Sequence, residues 1–367
     1  MNTPTLPQSQ VVEETAAIWG TALHPAGCPA CQRVYLVEDS RLDKPCPLCA
    51  RARLQAQPAL FRPEAPELLG PFRYDINQLR PRLEKFVSEV WLRSDDFDTG
   101  KLLQRAVPIY WPVWLVDGDI VGDWQAEAGF DYQVKSSQES YGQGGWSTRE
   151  VVETRIRWEP RAGQIRRRYD NVAAPALSEQ KRLLKLTGSY QYDQAHPYQP
   201  EQLRDALLRV PDLPPESAWP LAQAQLDEAA GEECRQAAGA QHIRNFLLRA
   251  NYESLHWTQQ LLPVYVTWYH DDDGNPHMIY INGQTGVIGG ARLASQKKGW
   301  RMAGVVLLVA ALVFLAALFF GLVGVFFPVS MLLAGVLGVL SMLVACLAIV
   351  PAAWPWQWNR GQAQDGE

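Results

Sequence analysis

The sequence predicts an α+β protein in three parts: a small N-terminal ribbon, a central largely antiparallel sheet with inserted helices, and a C-terminal two-helix transmembrane hairpin. Three observations predict it. Two Cys-x-x-Cys pairs stand close together near the start of a 367-residue chain. Runs of β-branched and aromatic residues, separated by turn residues, fill the middle. From Met302 to Asn359 there is no Asp, Glu, Lys or Arg.

Cys28 and Cys31 are separated from Cys46 and Cys49 by the 14 residues Gln32 to Pro45. Each short pair aims two sulfurs at one point while the intervening segment makes a hairpin. Four thiolates can then surround one tetrahedral ion, the pattern of a zinc ribbon over residues 24–54. Two disulfides are the competing reading, and a reducing cytosolic compartment argues against them. The residue after each second cysteine is commonly Gly at positive φ, but here it is Gln32 and Ala50. That substitution costs about 1 kcal/mol, small beside the roughly 10 kcal/mol or more supplied by a structural zinc ion. With four cysteine ligands the coordination sphere is closed, so one Zn2+ is structural and not catalytic. The isolated Cys234 and Cys346 read as plain small residues.

Around the ribbon, residues 1–23 lack a basic stretch followed by an apolar core, so they read as a disordered leader and not a secretory signal. Residues 55–72 are Pro-rich and read as a semi-extended linker. The central domain is expected over 73–296. Apolar residues at Ile76, Leu79, Leu83, Phe86, Val87 and Val90 have helical spacing. Residues 107–134 read as a hairpin broken at Asp117-Gly118, with further strands over 149–160 and 163–172. A short helix is expected over "SEQKRLLKL" and a longer one over 216–238. Strands resume at "HIRNFLLRANYESLHW", "QLLPVYVTWYH" and "HMIYING". Pro108-Ile109-Tyr110 and Pro263-Val264-Tyr265 each open a strand, which hints at an internal duplication.

The tail, 297–360, holds spans at about 302–326 and 331–350, followed by a tail at 361–367. Uninterrupted, the apolar stretch makes a helix of roughly 70 Å, twice the bilayer core, so a hairpin is the better reading. Lys297, Lys298 and Arg301 precede the first span and Arg360 follows the second, while the turn is uncharged. The positive-inside rule then puts both termini and the main domain in the cytoplasm. Trp300, Trp354, Trp356 and Trp358 suit an aromatic belt at that interface. Ala317, Gly321 and Gly324 on one span, and Ala334, Gly338 and Ala345 on the other, suit close helix packing.

Catalytic patterns do not emerge. His270 beside Asp271, Asp272 and Asp273 is the one candidate cluster, and Asp-Gly-Asn-Pro after it is turn chemistry. Arg166, Arg167 and Arg168 make a basic strand segment that reads as a solvated face or as a contact to anionic headgroups. The net charge of −5 gives no basic surface for nucleic acid as a whole. Near the ribbon Arg33, Arg41, Lys44, Arg51 and Arg53 exceed Glu38, Asp39 and Asp43 by only two.

The four cysteines, "VPIYWPVWLVDGDIVGDW" and "LLPVYVTWY…YINGQTGVIGG" before a Lys-rich stretch and apolar spans together resemble a family of bacterial TFIIB-type zinc-ribbon membrane proteins. Members are sometimes labelled primosomal, or replication-restart, helicase-like, although this chain has no phosphate-cradling Gly-Lys-Ser/Thr loop. The resemblance implies a non-enzymatic component of the bacterial cytoplasmic membrane, with phage-shock-protein-A-like or SPFH proteins as partners in a membrane-stress system. The expectation is an anchored adaptor whose ribbon recruits cytosolic proteins. The alternative is a membrane-tethered nucleic-acid-binding or regulatory protein that uses the same ribbon.

Overall fold

The computed structural model describes residues 8–57, 64–142, 145–203 and 205–365. Helix α1 is Gln8–Trp19, and β1 (His24–Gly27), β2 (Val34–Val37) and β3 (Gln55–Ala56) form the cysteine-bearing unit. After β4 (Leu68–Leu69) come α2 (Arg80–Ser88) and α3 (Thr99–Arg105). Two very long strands follow, β5 (Val107–Gly142) and β6 (Gly145–Pro175). Then come α4 (Gln180–Thr187), β7 (His196–Pro197), β8 (Leu207–Arg209) and α5 (Pro215–Ala238). The chain returns through β9 (His242–His270), β10 (Pro276–Asn282) and β11 (Ile288–Gly290) into α6 (Gln296–Val323), α7 (Pro328–Leu347) and α8 (Ile349–Asp365).

Among the described residues all eleven strands join one mixed, mainly antiparallel sheet, with the order β11-β10-β9-β5-β8-β2-β1-β3 along its main path and β6 paired to β5. The cysteine unit therefore belongs to the central sheet. Tyr35 and Leu36 pair with Arg209 and Leu208, and β8 runs parallel to β5 at Ile109 and Tyr110. The Pro-rich stretch lies against the sheet as well: Glu67 and Gly70 donate to Gln259 and Leu261 carbonyls at 3.0 and 2.8 Å. Residues 58–63 of that stretch fall outside the described residues.

Residues 8–23, expected as an unstructured leader, instead form α1 and a buried turn. Trp19 and Leu23 are buried with Leu36, Tyr110 and Leu261, and Trp19 packs edge-on to Tyr198 at 5.8 Å. An indole buried against aromatic and aliphatic neighbours stabilises the segment more than its propensity suggests. Residues 1–7 lie outside the described residues.

The break expected at Asp117-Gly118 is also absent, and the strands expected on either side of residues 161–162 and 258–259 are continuous. Asp-Gly is a turn signal, but here it faces a bulge on both neighbours. Asp117 stands opposite Asp170-Asn171 on β6, and Gly118 opposite Ser254-Leu255 on β9. Asn171 and Ser254 take positive φ, 58° and 52°, and Asn171 donates its N–H to Asp117 Oδ1 at 2.7 Å. A third bulge includes Asn245 at φ 53°. Bulges bend and twist long ribbons without ending them.

The two Pro-x-Tyr motifs meet across the sheet. Pro108 pairs with Tyr265, Ile109 with Val264 and Tyr110 with Pro263. The β5–β6 and β9–β10 hairpins thus flank a local pseudo-two-fold centre, the arrangement a duplicated hairpin produces.

From this centre β5 runs outward as an arm about 110 Å long at roughly 3.3 Å per residue. β9 accompanies it only to Gly129, and α5 covers one face. On that face Ile120, Trp124 and Ile165 bury Leu226, Ala230 and Cys234. From Phe130 to Gly142, paired with Gly145 to Arg157, the arm is two strands wide.

At the other end stand two helices long and apolar enough to cross a membrane. Ala303, Ala310 and Ala317, seven residues apart, are buried, and Ser341 Oγ donates to the Ala310 carbonyl at 2.9 Å across the pair. Small residues at this period let two helices approach closely. The tryptophans divide differently from a simple belt. Trp354 packs on Trp91 and Trp358 at 5.4 and 5.3 Å, and Trp358 Nε1 donates to the Arg292 carbonyl at 2.6 Å. These rings dock α8 on the domain, while Trp300 and Trp356 stay exposed.

Candidate metal centre and its surroundings

Both Cys-x-x-Cys segments fold into the same tight turn. Gln32 donates to the Cys28 carbonyl at 2.8 Å and Ala50 to the Cys46 carbonyl at 2.9 Å. The first turn is closed by Cys28 N–H to Arg33 at 3.0 Å, and the second by Cys46 N–H to Ala52 at 2.8 Å. Gln32 and Ala50 take φ of 58° and 51°, so the strain anticipated at those two positions is present.

The four sulfurs lie within 4.8 Å of one another, with Cys28 to Cys49 at 3.5 Å and Cys31 to Cys46 at 3.7 Å. A disulfide requires about 2.05 Å, and all four cysteines are free thiols. An ion about 2.3 Å from four tetrahedral thiolates spaces them about 3.8 Å apart. The cluster could therefore hold a metal ion with little rearrangement. As bare thiols Cys31 and Cys46 share a proton across 3.7 Å, a contact that lowers the Cys31 pKa to about 4 and pushes that of Cys46 up. Positive charge at the centre removes this conflict by favouring four thiolates.

The surroundings fix the cluster from one side. Tyr35, fully buried, directs its hydroxyl at Cys46 Sγ across 3.4 Å, the kind of outer contact that orients a metal ligand. The Arg209 guanidinium lies 5.7 Å from the Tyr35 ring, donates to the Val34 carbonyl at 3.1 Å and pairs with Asp212 at 2.9 Å. Arg33 pairs with Glu179 at the start of α4. Cys28, Cys46, Leu48 and Leu54 share one core with Ile109, Trp111 and Val264. The cysteine-bearing unit and the sheet are one packing unit, which sequence reasoning missed. Arg209 and Tyr35 carry no motif, and only the β2–β8 pairing brings them to the cysteines.

The other sequence candidates have structural employment. His270 donates its backbone N–H to Asp96, and its ring Nδ1 lies 3.0 Å from the same carboxylate. Asp271 accepts from the turn N–H groups of Asp273 and Asn275 and faces His277 Nε2 at 2.9 Å. Asp272 accepts from Ser295 Oγ at 2.9 Å and the Lys297 N–H at 3.1 Å, capping α6. This turn is the joint between sheet and apolar helices. Among Arg166 to Arg168, Arg167 pairs with Glu233 and Arg168 with Asp119 and Asp170. Arg166 faces Val121, which faces Asn251 on β9, 19 residues from His270. At strand rise that is roughly 60 Å along the sheet from the joint. Cys234 is buried on the inner face of α5 and Cys346 is exposed on α7.

The largest exposed aromatic group outside the helices is at the arm's end. Tyr141 and Trp146, each 73% exposed, pair across the strands with ring centroids 5.3 Å apart. They bracket the "GQGG" segment that reads as a flexible loop; its residues 143–144 lie outside the described residues. The signal available in the sequence was an aromatic on each side of a Gly-rich turn.

No family model, curated protein or solved structure matches this chain, so the family resemblance stands on its sequence motifs alone.

Proposed function

We propose that the protein is a non-enzymatic adaptor of the bacterial cytoplasmic membrane, anchored by a two-span hairpin, with its domain and arm in the cytoplasm. The observation that carries this reading is the arm. A strand pair prolonged far beyond the packed core, ending in exposed Tyr141 and Trp146, costs stability in isolation and has the composition of a contact surface. Anchoring such a surface raises the effective concentration of whatever it recruits.

In this reading the four cysteines hold one structural Zn2+. Two of their sulfurs face the core, so the metal's role is to hold the sheet edge rather than to offer the capture surface. The polar cleft of about 600 Å³ beside it is lined by Arg33, Glu179, Glu89 and Arg292, which already pair with each other, Arg33 with Glu179 and Arg292 with Glu89. The family resemblance adds phage-shock-protein-A-like or SPFH proteins as the cytosolic partners.

Purification from native membranes in mild detergent tests the proposal, with wild type beside Tyr141→Ser/Trp146→Ser. Specific soluble proteins accompany wild type and fall at least tenfold with the double variant, while zinc content is unchanged. An identical protein set from both, or nucleic acid as the component that the variant loses, overturns it.

A further inference from the structure

The outer edge of β6 is its own antiparallel complement. Residues 149–159 read Arg-Glu-Val-Val-Glu-Thr-Arg-Ile-Arg-Trp-Glu, and among the described residues no strand pairs with the side of β6 away from β5. When a second β6 is laid antiparallel with Thr154 opposite Thr154, Arg149 faces Glu159, Glu153 faces Arg155 and Val152 faces Ile156. The two-fold axis repeats each pair. Glu150 faces Trp158 and Val151 faces Arg157, and neither is a like-charge clash. Parallel pairing in register instead sets Arg against Arg and Glu against Glu. Opposite charges and β-branched pairs directly across a ladder are favourable, and like charges are not.

Two further features suit the same register. First, Val152, Ile156 and the aromatic pair Tyr141 and Trp146 alternate onto one face of the arm, the face opposite α5. Val152 and Ile156 are exposed there. On that open face Gln125, Ala162, Gln164 and Leu247 border a shallow bowl of about 380 Å³. The register sets the second copy's Trp146 opposite Ala162, at the rim of this bowl. Second, the stretch concerned is where the arm is two strands wide. Joining two edges makes four strands there, and such a sheet is stable where an isolated pair is marginal.

We propose that two copies of the chain pair through the β6 edges, antiparallel about Thr154, into one continuous sheet. The proposal rests on the reading of the arm as a contact surface and names a second copy as one of its partners. The ion pairs Glu153–Arg155 and Glu159–Arg157 now lie along a single strand, at 3.1 and 3.0 Å. Across the new ladder Glu153 and Arg155 re-form their pair with the second copy, and Glu159 exchanges Arg157 for the second copy's Arg149. Because the strands run in opposite directions, the two helical hairpins sit at opposite ends of the joined sheet, which lies along the membrane that anchors both.

The test uses the full chain in detergent, in a Cys234→Ser/Cys346→Ser background, with zinc measured before and after mild oxidation. Thr154→Cys gives a disulfide-linked dimer, and Gln133→Cys, beside it on β5, gives at least tenfold less. Glu153→Arg or Arg155→Glu alone lowers the Thr154→Cys link at least tenfold, and Glu153→Arg with Arg155→Glu restores it. No Thr154→Cys link, equal linking at Gln133→Cys, a link indifferent to the single reversals, or no restoration by the double reversal each overturns the proposal. Such a failure leaves the capture of soluble proteins in the membrane purification unaffected, so the two readings fall separately.

Discussion

Chelating the proposed zinc ion, or replacing Cys46 with Ser, is expected to release the whole outer edge of the sheet. Cys28 and Cys46 are buried in the core that contains Tyr35, Leu54, Ile109 and Trp111. Structural zinc supplies roughly 10 kcal/mol or more to a site of this kind, and strands β1 to β3 are too short to form a stable sheet without it. Along the sheet the edge meets the rest through two residue pairs between β2 and β8. Native-state hydrogen exchange reads the outcome. The amides of β1 and β2 exchange at least a hundredfold faster after metal removal, while those of β5 and β9 under α5 keep their protection. Unchanged exchange at β2, with no metal recovered, means that the cysteines pack as plain thiols.

The second large effect is expected at Asp96. Its carboxylate accepts from both terminal nitrogens of Arg105 at 2.6 and 2.8 Å, and from the His270 N–H at 2.8 Å. The Arg105 hydrogen bond chiefly holds the Asp96 carboxyl well below the ordinary carboxylate range. A carboxylate with a depressed folded pKa stabilises the fold above its unfolded value near pH 4. That stability is lost as pH falls from there through the folded value. Acid unfolding of the joint therefore sets in below about pH 4. Asp96→Asn flattens this acid limb, and Asp96→Ala costs about 3 kcal/mol at neutral pH because Arg105 loses its counter-charge and the His270 N–H its acceptor in a partly buried place. Thermal unfolding in detergent at pH 3 to 7, followed by tryptophan fluorescence, measures both. An acid limb that is the same in wild type and Asp96→Asn contradicts the assignment.

Much of this was legible in the sequence, for physical reasons that differ by region. The cysteine cluster and the helical pair follow from local rules, since ligand spacing and uninterrupted apolarity act within a few turns of chain. Helix α5 was read within a residue because Pro215 and Gly239 delimit it. The arm was not legible. Asp117-Gly118 says turn locally, and only the bulges opposite it, at Asn171 and Ser254, turn the signal into a bend. Helix α1 was hidden because its stability comes from Trp19 meeting Tyr198, 179 residues away. The joint was hidden for the same reason. His270 and its acidic neighbours looked like a cluster in their own right, yet Asp96 and Arg105, from a loop and α3, give His270 its role.

The central claim is that the arm is presented on the cytoplasmic side of the membrane. A single reactive thiol at the arm's end, Tyr141→Cys in the Cys234→Ser/Cys346→Ser background, tests it with a membrane-impermeant maleimide on sided vesicles. The account predicts labelling in inside-out vesicles and none in right-side-out vesicles until they are lysed. Labelling of intact right-side-out vesicles puts the arm outside the cell and contradicts recruitment of cytosolic proteins.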